Sequence, residues 1–319
     1  MNYKIVADSA SNVLSLDKVA FANVPLKILC GDNEYVDNEE LDLEAMLHDL
    51  KTTKSKSSTS CPNIYEWMQA FEGADHIFAV CITGNLSGSY AAAEQAKDLY
   101  LQDHPEAKIH VINTLTAGPE MRLIVEKLQS LIVKGMEFEY IVQAIEVYAQ
   151  HTHLTFCLQS LNNLARNGRV SPAVAKITSM LGIRLVGRAS DVGTLEPFGK
   201  IRGEAKTLEA MVKELIGRGY KGGKVRIAHC QNPNAADTFK QLILSKFPNA
   251  DIAIEHCEGL CSFYAEIGGM LSKGKWGIFI CFTMDSYFFD CGFFEADLTD
   301  YLFPLYFLGF LRYNIFDYI

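Results

Sequence analysis

Short apolar runs alternate with amphipathic stretches through the first half of the chain. Lys4–Asp8 and Val24–Cys30 read as short buried strands, His76–Thr83 as an apolar run ending in a turn, and Ile109–Asn113 as a further strand. Between them, Leu41–Leu50 has helical spacing and Ser89–Leu101 is Ala-rich and helical. Glu120–Val133 places Met121, Ile124, Val125, Leu128, Leu131 and Ile132 on one helical face. Strand followed by helix, repeated, predicts a parallel sheet covered by helices.

The second half is patterned differently. Arg184–Ala189 and Leu195–Arg202 are strand-like and joined by the turn-rich Ser190–Gly193, which predicts a hairpin. Helix (Glu204–Ile216), strand (Lys224–Cys230), helix (Ala235–Lys246) and strand (Ile252–His256) follow. The expected fold class is therefore α/β with two domains. An N-terminal parallel sheet flanked by helices spans 1–155, and a smaller C-terminal α/β sandwich spans 156–277, with the boundary near Thr155. From Gly277 the chain turns Phe/Tyr-rich, as in SYFFDCGFF and YLFPLYFLGFL. Residues 278–319 are expected to form an atypical aromatic tail outside the fold. Its longest apolar run, Tyr301–Leu311, is too short to span a bilayer.

Composition narrows the function. The 319 residues carry a net charge of −9, and the sequence pI is about 5.4. That balance argues against a nucleic-acid partner, which requires a basic face. The chain opens directly on the strand-like KIVADS with no charged and apolar leader, and no run of about 18 apolar residues occurs, so a cytoplasmic location is expected. The nine cysteines then read as free thiols. His229-Cys230, His256-Cys257 and Cys261 have zinc-ligand chemistry. Both His-Cys pairs lie on strand-like runs, where neighbouring side chains point to opposite faces, so no metal site is expected.

Three motifs carry candidate chemistry. Ser57-Ser58-Thr59-Ser60-Cys61-Pro62 precedes the helix-like Asn63–Phe71 and reads as a helix start. Ile82–Tyr90, with Leu86-Ser87-Gly88-Ser89-Tyr90 at its end, follows a buried strand and opens a helix, a place where unpaired amides favour a carboxylate or phosphate. Leu161–Pro172 contains Arg166, Gly168 and Arg169 and ends in Ser171-Pro172, a second helix start leading into Ala173–Leu181. Ser87 is followed directly by Gly88, so the loop is not a Gly-x-Ser-x-Gly nucleophile elbow, and no Gly-Lys-Ser/Thr phosphate loop is present. An acyl- or phosphoryl-transfer enzyme using Ser87 would need a His/Asp pair that the sequence does not place beside it. His151 and His153, the only clustered histidines, sit near a helix end.

Taken in order, these motifs resemble the DegV family of fatty-acid-binding proteins. The likeness begins at Asp8-Ser9-Ala10-Ser11 and includes Thr59-Ser60-Cys61-Pro62, Leu86-Ser87-Gly88-Ser89-Tyr90, Leu161–Ser171 and Phe198-Gly199-Lys200-Ile201-Arg202. It covers about residues 3 to 277. The resemblance implies a non-enzymatic carrier that holds one long-chain fatty acid, such as palmitate, stearate or oleate, between its domains without a cofactor. Thr59 and Ser87 would bind the carboxylate, with Ser60, Gly88 and Ser89 beside them. Many members carry a Gly-Thr-His-x-Gly-x-Gly stretch whose His helps hold the head group. Here Ser262–Gly269 stands in its place without a His, and Tyr264 is expected to supply a hydroxyl. The family hands its ligand to a separate ATP-dependent, dihydroxyacetone-kinase-like fatty acid kinase that makes acyl phosphate for phospholipid synthesis. Arg166, Arg169, Lys200 and Arg202 are the expected docking residues. A lipid-responsive regulator whose tail makes transient membrane contact is a further reading. Burying about fourteen methylenes at about 0.8 kcal/mol each contributes on the order of 11 kcal/mol of transfer energy. The carboxylate's hydrogen bonds add only about 1.5–3 kcal/mol each, so the tail supplies affinity and the hydroxyls orientation.

Overall fold

The structure is a computed structural model that describes residues 2–176, 183–266 and 278–283. The chain runs β1 (Tyr3–Asp8), β2 (Ala20–Val24), β3 (Lys27–Cys30), β4 (Asn33–Val36), α1 (Leu43–Thr52), β5 (Ser57–Ser60), α2 (Ile64–Phe71), β6 (His76–Cys81), α3 (Ser89–Asp103), β7 (Lys108–Asn113), α4 (Pro119–Val133) and α5 (Phe138–Ala149). It continues through β8 (Thr152–Leu158), α6 (Asn162–Arg166), α7 (Pro172–Lys176), β9 (Ile183–Ala189), β10 (Leu195–Arg202), α8 (Glu204–Gly217), β11 (Lys224–His229), α9 (Pro233–Leu244), β12 (Asp251–His256), α10 (Gly259–Ala265) and β13 (Ile278–Thr283).

A four-stranded sheet, ordered β2-β1-β6-β7, is parallel throughout. Its central strands are covered on both sides, which explains their nearly unbroken apolar sequence. Strand alternation divides them between two cores. Ile5, Ala7, Phe78 and Val80 face α4 and α5 through Ile124, Leu128, Ile141 and Ile145. Val6, Ile77, Ala79 and Cys81 face α2 and α3 through Trp67, Phe71, Ala93 and Ala96. A small antiparallel sheet, β4-β3-β5, adjoins this lobe.

The second lobe is a mixed six-stranded sheet in the order β10-β9-β8-β13-β11-β12. Its β9–β10 hairpin is the one read from Ser190–Gly193. One face packs on α8 and α9 through Val186, Val225, Ile227, Met211, Leu215 and Phe239. On the other face, Phe156, Leu158, Leu185 and Ala228 meet Leu161, Leu164 and Cys261.

Four expectations change. The strand expected over Val24–Cys30 is split into β2 and β3, since Pro25 has no amide hydrogen for a ladder. Ser57–Ser60 is a strand paired with β3, so Thr59 is not a helix cap; Asn63 caps α2, with Glu66 completing a capping box. The boundary near Thr155 falls inside β8, all of which pairs within the six-stranded sheet, and Met1–Met284 form one compact unit. Ile278–Thr283, assigned to the tail, forms β13 between β8 and β11 and pairs antiparallel with both. Without it those strands would present open edges. The rest of the expected tail, 284–319, and the expected helix residues 177–181 lie outside the described residues.

Candidate functional site

The strand order places a topological switch point between β1 and β6. From β1 the chain proceeds to β2 on one side, and β6 and β7 extend the sheet on the other. Open α/β sheets bind ligands in the crevice beyond the carboxyl ends of such strands. Here Ser9–Ser11 leaves β1 and Ile82–Gly88 leaves β6 to open the fifteen-residue helix α3.

Buried carboxylates hold these loops in place. Asp8 is fully buried, and its Oδ2 accepts from the Ile82 amide at 2.9 Å and the Ser89 hydroxyl at 2.7 Å. Its Oδ1 accepts from the Ala10 amide at 3.2 Å. Desolvation raises its pKa to about 7 against the downward pull of those hydrogen bonds. Asp37, just past β4, accepts from the Gly259 and Leu260 amides at 2.7 and 3.0 Å and so fixes the start of α10. Burial raises its pKa to about 6. A Cβ on Gly259 would stand 2.6 Å from Asp37 Oδ1, so only glycine admits this close approach.

Between the two lobes lies a pocket with predominantly apolar walls. Ala10, Leu26, Ile82 and Leu86 line it from the first lobe, and Leu158, Leu164, Leu195, Leu260 and Cys261 from the second. Thr59, Ser87, Arg169 and Tyr264 supply its polar groups. Thr59 Oγ1 and the Tyr264 hydroxyl share a 2.8 Å hydrogen bond. The Arg169 guanidinium lies 5.9 Å from the Tyr264 ring centroid. Its Nε donates to the Leu86 carbonyl at 3.0 Å, next to Ser87. Ser87 Oγ accepts from the Ser89 amide at 3.3 Å, and its hydroxyl proton remains to be donated. Burial raises the Tyr264 pKa, so the phenol stays a neutral donor. The arrangement offers hydroxyl donors and one cation to an anion at one side of an apolar cavity.

The sequence candidates therefore separate. Thr59, Ser87 and Tyr264 come together. Ser60 is exposed on β5. Gly88 is exposed and packed against Cys61, whose Sγ would lie 3.1 Å from an added Cβ. Ser89 is wholly buried, with its hydroxyl committed to Asp8, which makes it a loop anchor. Arg169, read as a docking residue, stands in the pocket wall. Arg166 at the end of α6 and Lys200 and Arg202 on the edge strand β10 are exposed. The sequence reading missed Asp37 and Cys261 at this site, because nothing near either residue reveals partners more than two hundred positions away. Ser87 has no histidine among its hydrogen-bond partners; His153 lines a different cleft, with Glu120 and Arg218. The rings of His229 and His256 meet edge to face, and no group of three or more His, Cys, Asp or Glu suited to a metal occurs among the described residues. No helix among the described residues is long and apolar enough to cross a membrane.

This is a two-lobed α/β architecture with an apolar pocket at the switch point and hydroxyl donors beside it. Residues 2–280 match the family described as "Uncharacterised protein, DegV family", and the chain belongs to the DegV family. A DegV domain-containing protein of Streptococcus pneumoniae is 44% identical over 275 residues, covering 85% of this chain and 98% of that protein. Among solved structures, the S. pneumoniae Fatty Acid Kinase (Fak) B3 protein loaded with linoleic acid has 42% identity and a TM-score of 0.85, covering 89% of this chain and 100% of that one. A DegV family protein from Eubacterium eligens loaded with heptadecanoic acid has 42% identity and a TM-score of 0.84, with the same coverage.

Proposed function

We propose that this chain binds one long-chain fatty acid, such as palmitate, stearate or oleate, without a cofactor, and presents its carboxylate to a separate ATP-dependent fatty acid kinase. The observation that carries the reading is the joining of Thr59, Ser87 and Tyr264 hydroxyls to an apolar inter-lobe pocket. The fatty-acid-loaded relatives of the same fold support it. Thr59 and Ser87 donate to the carboxylate, Tyr264 exchanges its bond with Thr59 for one with the ligand, and Arg169 supplies charge. Ser87 binds and does not attack, since no general base accompanies it. The chain is a carrier, and chemistry on the acid belongs to the kinase. Arg166, Lys200 and Arg202 form the exposed basic docking residues, in a cytoplasmic setting. The carrier's organisation is two lobes that meet just before Thr152, with the second extending through Thr283.

Organic extraction of the purified protein followed by mass spectrometry tests the binding. One acyl ligand per chain is expected; no acyl ligand, together with no uptake of added palmitate or oleate, overturns the reading. Incubation with labelled ATP, magnesium and fatty acid should yield acyl phosphate only when a fatty acid kinase is added. Acyl phosphate formed by the chain alone would make it an enzyme.

A further inference from the structure

The described residues leave a free volume of about 70 Å³ in the pocket. Sites for drug-sized ligands measure about 300–1,000 Å³, so the walls must part to admit an acyl chain. One wall is α10, which contributes Leu260, Cys261 and Tyr264. The wall beside it is α6 and the turn after it, which contribute Leu164 and Arg169. What joins these walls controls the opening.

Glu266 is the main joint. It ends α10 with φ at +56°, a conformation that costs a non-glycine residue energy and persists only when its surroundings enforce it. Its carboxylate reaches the start of α6, accepting from the Ser160 hydroxyl and the Asn163 amide, both at 2.6 Å. Asn163 returns a bond from Nδ2 to the Phe263 carbonyl at 2.8 Å. Burial raises the Glu266 pKa, while Ser160, Asn163 and the charge of Arg166 pull it down. Hydrogen bonds to a half-buried carboxylate are short and strong, and they span the two walls here.

We propose that Glu266 is a positioning residue that latches α10 to α6 and so sets how fast a fatty acid enters and leaves the pocket. The proposal rests on the fatty-acid-binding reading above. Among the described residues Glu266 bonds to Ser160 and Asn163 and to neither Thr59 nor Ser87, so it acts through the placement of Tyr264 and Arg169.

The test is stopped-flow exchange of a fluorescent long-chain fatty acid on the full chain. Glu266→Ala removes both bonds, and association and dissociation should each accelerate by at least about tenfold, since even one lost charge-assisted bond is worth that factor. Glu266→Gln keeps an oxygen for the Asn163 amide and an N–H for the Ser160 hydroxyl but loses the charge, so its rates should fall between those of Glu266→Ala and the parent. Ser160→Ala weakens the latch from the opposite wall and should accelerate both rates less than Glu266→Ala does; it also decides the matter if Glu266→Ala does not fold. Parent rates in Glu266→Ala or, failing that variant, in Ser160→Ala would overturn the latch. So would a faster release with unchanged association, which marks simple loss of affinity. A parent protein that binds no fatty acid would overturn the functional reading instead, so the two failures are distinguishable.

Discussion

Asp8 offers a quantitative test of how the site is built. It is wholly buried, and its pKa rises from 3.8 unfolded to about 7 in the folded protein. Between those values the folded state holds a proton that the unfolded chain has released. Stability therefore falls as pH rises, by about 1.4 kcal/mol per pH unit, for a total on the order of 4 kcal/mol. In Asp8→Asn the amide oxygen can still accept from the Ile82 amide and the Ser89 hydroxyl, but its NH₂ faces the Ala10 amide, costing about 1–3 kcal/mol at every pH. The variant should be less stable than the parent near pH 4 and more stable near pH 8, with the curves crossing between about pH 4.5 and 6. Urea unfolding followed by circular dichroism across that range gives both curves. Glu120, also a buried carboxylate with a raised pKa, contributes equally to each and cancels in the difference, whereas Asp37, whose charge helps raise the Asp8 pKa, adds to the slope that the variant loses. Parallel curves for parent and variant would refute the reasoning, because they would mean that Asp8 does not change protonation in this window.

Truncation after Trp276 removes β13, the strand that joins β8 to β11, so the shortened chain should lose cooperative thermal unfolding by calorimetry; an intact transition would return Ile278–Thr283 to the tail. Gly259→Ala forces a Cβ to 2.6 Å from Asp37 Oδ1 and should cost about 1–3 kcal/mol in urea unfolding, as overpacking does. Glu126 pairs with Arg226, itself 8% exposed, at 2.7 and 2.8 Å across the lobes. Glu126→Ala leaves that guanidinium with Asp251 at 3.4 Å, and the loss in the same assay should fall near the low end of roughly 3–5 kcal/mol.

Periodicity revealed most of the frame. The buried runs of β1 and β6 and the apolar stripe of α4 report local burial, which the sequence records position by position. The hairpin was legible from Ser190–Gly193 for the same reason. The site was legible only in part. Thr59 and Ser87 belong to recognisable motifs, but Thr59 sits on a strand because of its pairing with Ile28, which no local pattern reports. The contact of Thr59 with Tyr264 joins positions 205 apart. Arg169 read as an exposed docking residue, whereas its bond to the Leu86 carbonyl, 83 positions away, holds it in the pocket wall. Ile278–Thr283 was misassigned because the aromatic composition that follows it masked a central strand, and central strands need not alternate.

Calorimetric titration of the delipidated protein with oleate tests the central claim most directly, with Thr59→Ala/Ser87→Ala and the uncharged oleyl alcohol as comparisons. The expected result is one saturable site for oleate, weakened by a few kcal/mol at most in the double variant, with oleyl alcohol binding parent and variant nearly alike because its tail contacts are unchanged. Absence of saturable oleate binding, or a double variant that binds oleate as tightly as the parent, would contradict the assignment of this pocket to a fatty acid held by Thr59 and Ser87.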